Sequence, residues 1–287
     1  MDDHHDDHSQ GLAHHLDQLR QRRRLLLAAA GAAGVTLLGA LGCGGGGDTD
    51  SSSSSGSGSD GSSGSSGSGS GSGSCAVSAE ETQGPYPADG SNAIGNDVVN
   101  ALAATGIVRS DIRPSFGDLS GTAEGVPTTV KLTLVNTNAS CASVAGYAIY
   151  IWHCDRSGEY SIYGVTDQNY LRGVQETDAS GVATFTTVFP ACYSGRMPHI
   201  HIEVYRSLTT ATSYTNKLKT TQLALPVDVC ETVYASADGY SQSVANLAQI
   251  SFDTDNVFSD GTSTEMSTVT GSIADGYVVT LQVGLSV

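Results

Sequence analysis

The sequence predicts an all-β domain, a β-sandwich with a few short helices. Three observations predict it. Short segments rich in β-branched and aromatic residues recur from about residue 75 to the C-terminus. Turns rich in Gly, Asp and Ser separate them. Apolar spacing at the helical period is scarce.

Taken in order, Asn96 to Thr105 is a first short helix candidate. Thr128 to Val135, TTVKLTLV, alternates as a half-buried strand does. Gly146 to Trp152, GYAIYIW, is denser and predicts a buried strand. Asp178-Ala179-Ser180-Gly181 is a turn into a strand over Val182 to Phe189. His199 to Tyr205, HIHIEVY, alternates strictly. Val229 to Leu247 holds a second helix candidate, broken at Gly239. Met266 to Gly271 and Gly276 to Val287 predict a closing hairpin, turning near Ala274-Asp275-Gly276. Many short strands with Gly-rich turns fit a sandwich or a related barrel.

The part of the chain before residue 75 reads differently. Arg20, Arg22, Arg23 and Arg24 precede the apolar run Leu25 to Gly42. A basic segment followed by an apolar one is the pattern of an export signal. Its Ala and Gly content makes it weakly hydrophobic, which favours a cleaved signal over a permanent span. The consecutive arginines match a twin-arginine signal, although QRRRLLL departs from the fullest form. Ala40-Leu41-Gly42-Cys43 resembles a lipobox, with Ala40 in place of the usual Leu. Either Cys43 receives lipid, or it is incidental to an ordinary signal. Residues 44–74 are Gly, Ser, three Asp and one Thr, with nothing to bury. Such a linker predicts disorder and an end-to-end distance of roughly 30 Å. The expected organisation is a leader over 1–43, a linker over 44–74 and one catalytic domain over 75–287. The expected location is the cell envelope or beyond it, with a membrane tether through Cys43.

Charge excludes some partners. The whole chain carries -16, and residues 75–287 hold nine basic and 21 acidic side chains. No basic footprint for nucleic acid exists. Six Cys are too few for a disulfide-built scaffold. Cys43 aside, five remain (Cys75, Cys141, Cys154, Cys192 and Cys230), so at least one is unpaired within a monomer. Sequence does not fix the pairing.

The eight His point to metal only in part. His4, His5, His8, His14 and His15 sit among Asp2, Asp3, Asp6 and Asp7. They read either as a solvated leader or as a metal-sequestering tract. His199 and His201 are two apart on a predicted strand, so both imidazoles project from one face while Ile200 faces the packing. Alone, that is half a metal site. Tyr193 precedes the pair across an irregular loop holding Gly195 and Pro198, and can fold back toward it. Upstream, Trp152 to Tyr160 is a strand end followed by a turn. A Tyr with a reference pKa near 10 ligates only when ionised, which requires a strong Lewis acid such as Fe(III). Tyr160, Tyr163 and Tyr170 are alternative phenolates by spacing. Copper or zinc on imidazole is the competing metal reading.

Five segments carry a family resemblance. They are GPYP at Gly84 to Pro87, RSDIR at Arg109 to Arg113, AIYIWHCDRSGEYS at Ala148 to Ser161, NYLRGVQETDASG at Asn169 to Gly181, and YSGRMPHIHIEV at Tyr193 to Val204. In this order they resemble the intradiol ring-cleavage dioxygenases, the family of the catechol and protocatechuate dioxygenases. The similarity is closest to the exported, single-domain branch, and no counterpart of the helical dimerisation region of the catechol dioxygenases is expected. The resemblance implies one non-haem Fe(III) per domain, held by Tyr160, Tyr193, His199 and His201. It implies Tyr193 and His201 as axial ligands, and Tyr160, His199 and hydroxide as equatorial ones. It assigns Arg196 as the active-site Arg and Gln222 as the Gln after the His strand. The implied partners are a catechol-type diol and O2. The diol would bind as a dianion, losing one proton to hydroxide and one to a displaced Tyr193, and its ring would open between the two hydroxylated carbons.

Other residues read more plainly. Tyr86 either lines the substrate mouth or caps the fold. His153 is expected to pack near its strand end, and Asp155 and Arg156 to serve the turn and an ion pair. A binding module that kept the fold without catalysis is the competing function.

Overall fold

The computed structural model describes residues 75–287. The expected leader, the lipidation of Cys43 and the Gly/Ser linker lie outside the described residues. Eleven strands and two short α-helices make up the regular structure described, and the architecture is the predicted all-β sandwich.

The chain opens with a hairpin of β1 (Asp89–Ile94) and β2 (Asp97–Asn100). β3 (Pro127–Asn136) is the central strand of one sheet. On one side it pairs in parallel with β11 (Gly276–Leu285), whose other edge carries β10 (Thr268–Ser272). On its other side β7 (Val182–Val188) covers Pro127 to Thr133 and the short β4 (Ala142–Ser143) covers Val135 and Asn136. The second sheet has the order β6 (Arg172–Glu176), β5 (Ala148–Trp152), β8 (His199–Tyr205), β9 (Lys217–Ala224), all antiparallel.

Side-chain alternation explains the two layers. Val130, Leu132 and Leu134 of β3 are fully buried at every second position. Ile200, Ile202 and Val204 of β8 do the same, and both sets join one apolar cluster. Fully burying one such side chain stabilises the fold by about 1.5–3 kcal/mol. The opposite face of β8, with His199, His201, Glu203 and Tyr205, is buried as well. That second buried face is polar, which is the signature of a site rather than of a core.

α1 (Val227–Ser236) and α2 (Ser241–Leu247) bear out the interrupted helix, with Gly239 at φ 90 between them. The first helix candidate is corrected. Asn96 to Thr105 forms β2 and a single 3-10 turn, Ala101–Ala103. The β-branched pair Val98 and Val99 extends beside β1, and the Asn100 side chain accepts from Leu102 N at 3.1 Å, capping the turn. β9, KLKTTQLA, gave no apolar alternation, yet it is buried from Lys219 onward between β8 and the incoming chain.

Cys75 and Cys141 form a disulfide, tying the start of the domain to the β3–β4 connection. Cys154, Cys192 and Cys230 are buried free thiols. Among the described residues no helix is long and apolar enough to cross a membrane.

Candidate functional site

Strand register builds the floor of the site. Arg172, Trp152, His201 and Gln222 stand opposite one another across β6, β5, β8 and β9. Cross-strand neighbours on one face come within side-chain reach. The Trp152 indole stacks on the His201 imidazole, with centroids 4.8 Å apart and planes 2° from parallel. His199 lies two residues back on the same face. Its Nδ1 is 2.6 Å from the Met197 carbonyl, which can only accept. Nδ1 therefore carries the proton and Nε2 presents a lone pair to the site.

Two loops bring phenols over this floor. The loop from Tyr193 to Pro198 turns at Gly195, φ 83, and folds Tyr193 back so that its hydroxyl sits 3.3 Å from His199 Nε2. After β5, the turn at Asp155 to Glu159 leads into Tyr160, whose hydroxyl is 3.4 Å from His199 Nε2 and 3.1 Å from His201 Nε2. The two imidazole Nε2 atoms are themselves 3.1 Å apart. The GPYP segment crosses above them. Gly84, φ 69, passes so close that a Cβ there would lie 3.3 Å from His201 Cε1.

The alternative phenols are committed elsewhere. Tyr163 Oη donates to Asn92 Oδ1 at 2.8 Å and accepts from Ala88 N at 3.0 Å. Tyr170 Oη donates to Asp155 Oδ2 at 3.2 Å. His153 is buried between the Cys154 carbonyl and Thr187 Oγ1, both 2.7 Å away, so it packs as expected. Asp155 caps its turn through Ser157 N and Glu159 N, and Arg156 pairs with Glu124. Tyr86 is half-buried, its ring centroid 5.1 Å from those of Tyr160 and Tyr163, so it walls the phenol side of the site.

The donor set fits a metal of hard, high charge. Donors about 2 Å from one ion stand roughly 3 Å apart at right angles, close to the four separations above. Burial drives both His pKa values well below normal, with the Arg196 charge adding to the effect, so both rings are neutral donors. Burial likewise pushes the Tyr160 hydroxyl well above its ordinary value and that of Tyr193 up to about 12. Both stay raised although the Arg196 charge opposes the shift, so burial favours the neutral phenols in the protein alone. A strong Lewis acid at the cluster reverses that balance. Among the described residues no group of three or more His, Cys, Asp and Glu converges, so phenol oxygen is half of any metal set here.

Arg196 is the cation of the site. It is 8% exposed, with Nη1 3.4 Å from His199 Nε2 and Nη2 donating to Gln222 Oε1 at 2.7 Å. Gln222 Nε2 donates in turn to the Thr82 carbonyl at 2.8 Å. Arg196 and Gln222 thus meet, as a bonded pair rather than as independent groups. Sequence reading missed two supporting residues. Arg172 is buried and holds the Tyr86 and Pro87 carbonyls with Nη1 and Ser161 with Nε and Nη2, clamping the GPYP segment and the Tyr160 loop to β6. Its signal was a charge inside an otherwise strand-like stretch. Asp255 pairs with Arg196 at 3.0 Å, and nothing in the sequence placed it near the motif.

No protein-family model matches the chain, and no curated protein does. Solved structures do. An intradiol ring-cleavage dioxygenase from Tetranychus urticae shares 25% identity at a TM-score of 0.54, over 73% of this chain and 94% of its own. A second solved dioxygenase gives 24% and 0.54 over the same shares. The fold resemblance read from the motifs and the fold likeness found in space agree.

Proposed function

We propose that the chain is a non-haem Fe(III) intradiol dioxygenase. It takes a catechol-type diol and O2, places both oxygen atoms in the product, and opens the ring between the two hydroxylated carbons to a muconate-type dicarboxylic acid. The balance needs no further reductant. The observation that carries the reading is the meeting of two phenols and two imidazoles, 3.1–3.4 Å apart, beside a buried Arg. The fold shared with an intradiol ring-cleavage dioxygenase supports it.

Tyr160, Tyr193, His199 and His201 are the proposed iron ligands. Bound there, Fe(III) would ionise the phenols, hold a catecholate through its oxygens and draw electron density from its ring. The protein's own part is positioning and charge. Tyr193 Oη, on the more exposed loop, is placed to take a proton from a diol hydroxyl. The Arg196 guanidinium, in a water-poor pocket, stabilises negative charge developing on the ring, and Gln222 steadies it from the far side. Tyr86 offers a ring wall to an aromatic substrate. Export and a membrane tether through lipidated Cys43 would place this chemistry at the cell envelope.

The test is purification after native export. Tyrosinate-bound Fe(III) gives a red-brown protein with one iron per chain that consumes O2 with catechols. Tyr160→Phe shifts or bleaches the colour, whereas Tyr163→Phe and Tyr170→Phe leave it. Colourless, iron-free protein would refute the metal assignment. Coloured protein that consumes no O2 with any catechol would leave a binding module.

A further inference from the structure

We propose that Asp255 is a positioning residue: it fixes which edge of the Arg196 guanidinium faces the Tyr160, Tyr193, His199 and His201 cluster. The inference rests on the dioxygenase reading and adds to it a residue that no motif contains.

Asp255 is fully buried, in the irregular segment between α2 and the 3-10 turn Phe258–Asp260. Its carboxylate accepts from Arg196 Nε at 3.2 and 3.0 Å, from Met197 N at 2.6 Å, from Val257 N at 2.8 Å and from Phe258 N at 3.2 Å. Two loops far apart in sequence are thereby joined at one charge. A guanidinium is planar, with five donors in fixed relation. Once Nε is held by Asp255 and Nη2 by Gln222, the direction of Nη1 is determined. It lies 3.4 Å from His199 Nε2, at the edge of the cluster. Phe258 closes one side, its ring centroid 5.6 Å from Arg196 Cζ and 6.3 Å from that of His199. The ion pair is buried on both partners, so water does not relax it. A plain turn cap would need only the Val257 and Phe258 contacts. The Arg196 and Met197 contacts belong to the site.

A double-mutant cycle tests this. Wild type, Asp255→Asn, Arg196→Gln and the double variant are compared for iron content, visible absorption, kcat and KM with catechol. Asp255→Asn is expected to keep its iron and its visible band while kcat falls about 10–100-fold, the usual range for a residue behind the ligand shell. KM stays within about threefold, and adding Asp255→Asn to Arg196→Gln costs less than about threefold more, because the effect runs through the guanidinium. Losses that multiply in the double variant, or a loss carried by iron content, would overturn the inference. If Asp255→Asn does not fold, Arg196→Lys decides. One ammonium cannot serve Asp255, Gln222 and the site together, so Arg196→Lys should lose as much as Arg196→Gln. Retention of a third or more of wild-type kcat would overturn the orienting role. A wild-type protein that takes up no O2 would instead sink the activity reading, which the iron and colour measurements identify separately.

Discussion

Gly84 and Gly195 both sit in left-handed backbone, at φ 69 and φ 83, in two segments that frame the Tyr193 and His201 side chains. Replacing either by Ala forces a Cβ into that conformation, at about 1–2 kcal/mol. For a domain of this size each kcal/mol moves Tm by about 2–4 °C, so both variants should melt roughly 2–8 °C lower. Their surroundings differ. The Cβ at Gly195 meets nothing within 4 Å, whereas the one at Gly84 meets His201 Cε1 at 3.3 Å, tighter than ordinary contact. His201 is stacked on Trp152, so a displacement of its ring disturbs that contact. Gly84→Ala should therefore disturb the iron site more than Gly195→Ala does, at similar cost in stability. The assay is Tm, iron per chain and the visible band for both, prepared in parallel. Equal iron loss in the two variants, or an unchanged band in Gly84→Ala, would refute the claim that the GPYP segment seats His201.

Other perturbations test the framework around the site. Glu265 is buried with both carboxylate oxygens unpartnered, and burial, aided by Glu81 and Asp260, pushes its pKa from 4.5 up to about 8. The folded state thus holds a proton that the unfolded state releases at lower pH, so its contribution is intact below about pH 4.5 and is lost as pH rises through about 8. Stability should fall across that window by up to about 1.4 kcal/mol per pH unit from this group, and Glu265→Gln should flatten the slope in denaturant melts; parallel wild-type and variant slopes would contradict it. The Cys75–Cys141 bridge spans 66 residues, so Cys141→Ser should cost up to about 4 kcal/mol by loop-closure entropy, read in urea melts. An unchanged midpoint would mean that the segment from Cys75 adds nothing to the fold. Arg172→Met removes the clamp on two loops and leaves the Tyr86 and Ser161 carbonyls without their donor, the Pro87 carbonyl keeping only the Tyr150 hydroxyl. At about 1–3 kcal/mol for a buried group left unpaired, it should destabilise strongly and loosen Tyr160; a stable Arg172→Met protein with full colour would rule the clamp out.

What the chain states locally, it states well. The period-two run HIHIEVY puts His199 and His201 on one face whatever surrounds it, because alternation is a property of extended backbone. The β-branched runs give β3, β7 and β11, and Gly239 divides the helices, for equally local reasons. The meeting of Tyr160 and Tyr193 with the His pair was legible through spacing and resemblance, although Tyr163 and Tyr170 stood level with Tyr160 until hydrogen bonds engaged them elsewhere. Asn96 to Thr105 misled because Val98, Val99 and Leu102 imitate helical spacing while a cross-strand partner decides the matter. β9 was silent because Lys and Thr show no apolar rhythm, and its burial comes from the strands on either side. Asp255 and Arg172 depend on the tertiary structure altogether. Each is a single charge whose worth lies in partners tens of residues away, and only the packing of loops onto the sheet brings those partners within about 3 Å, where desolvation makes a hydrogen bond to charge strong.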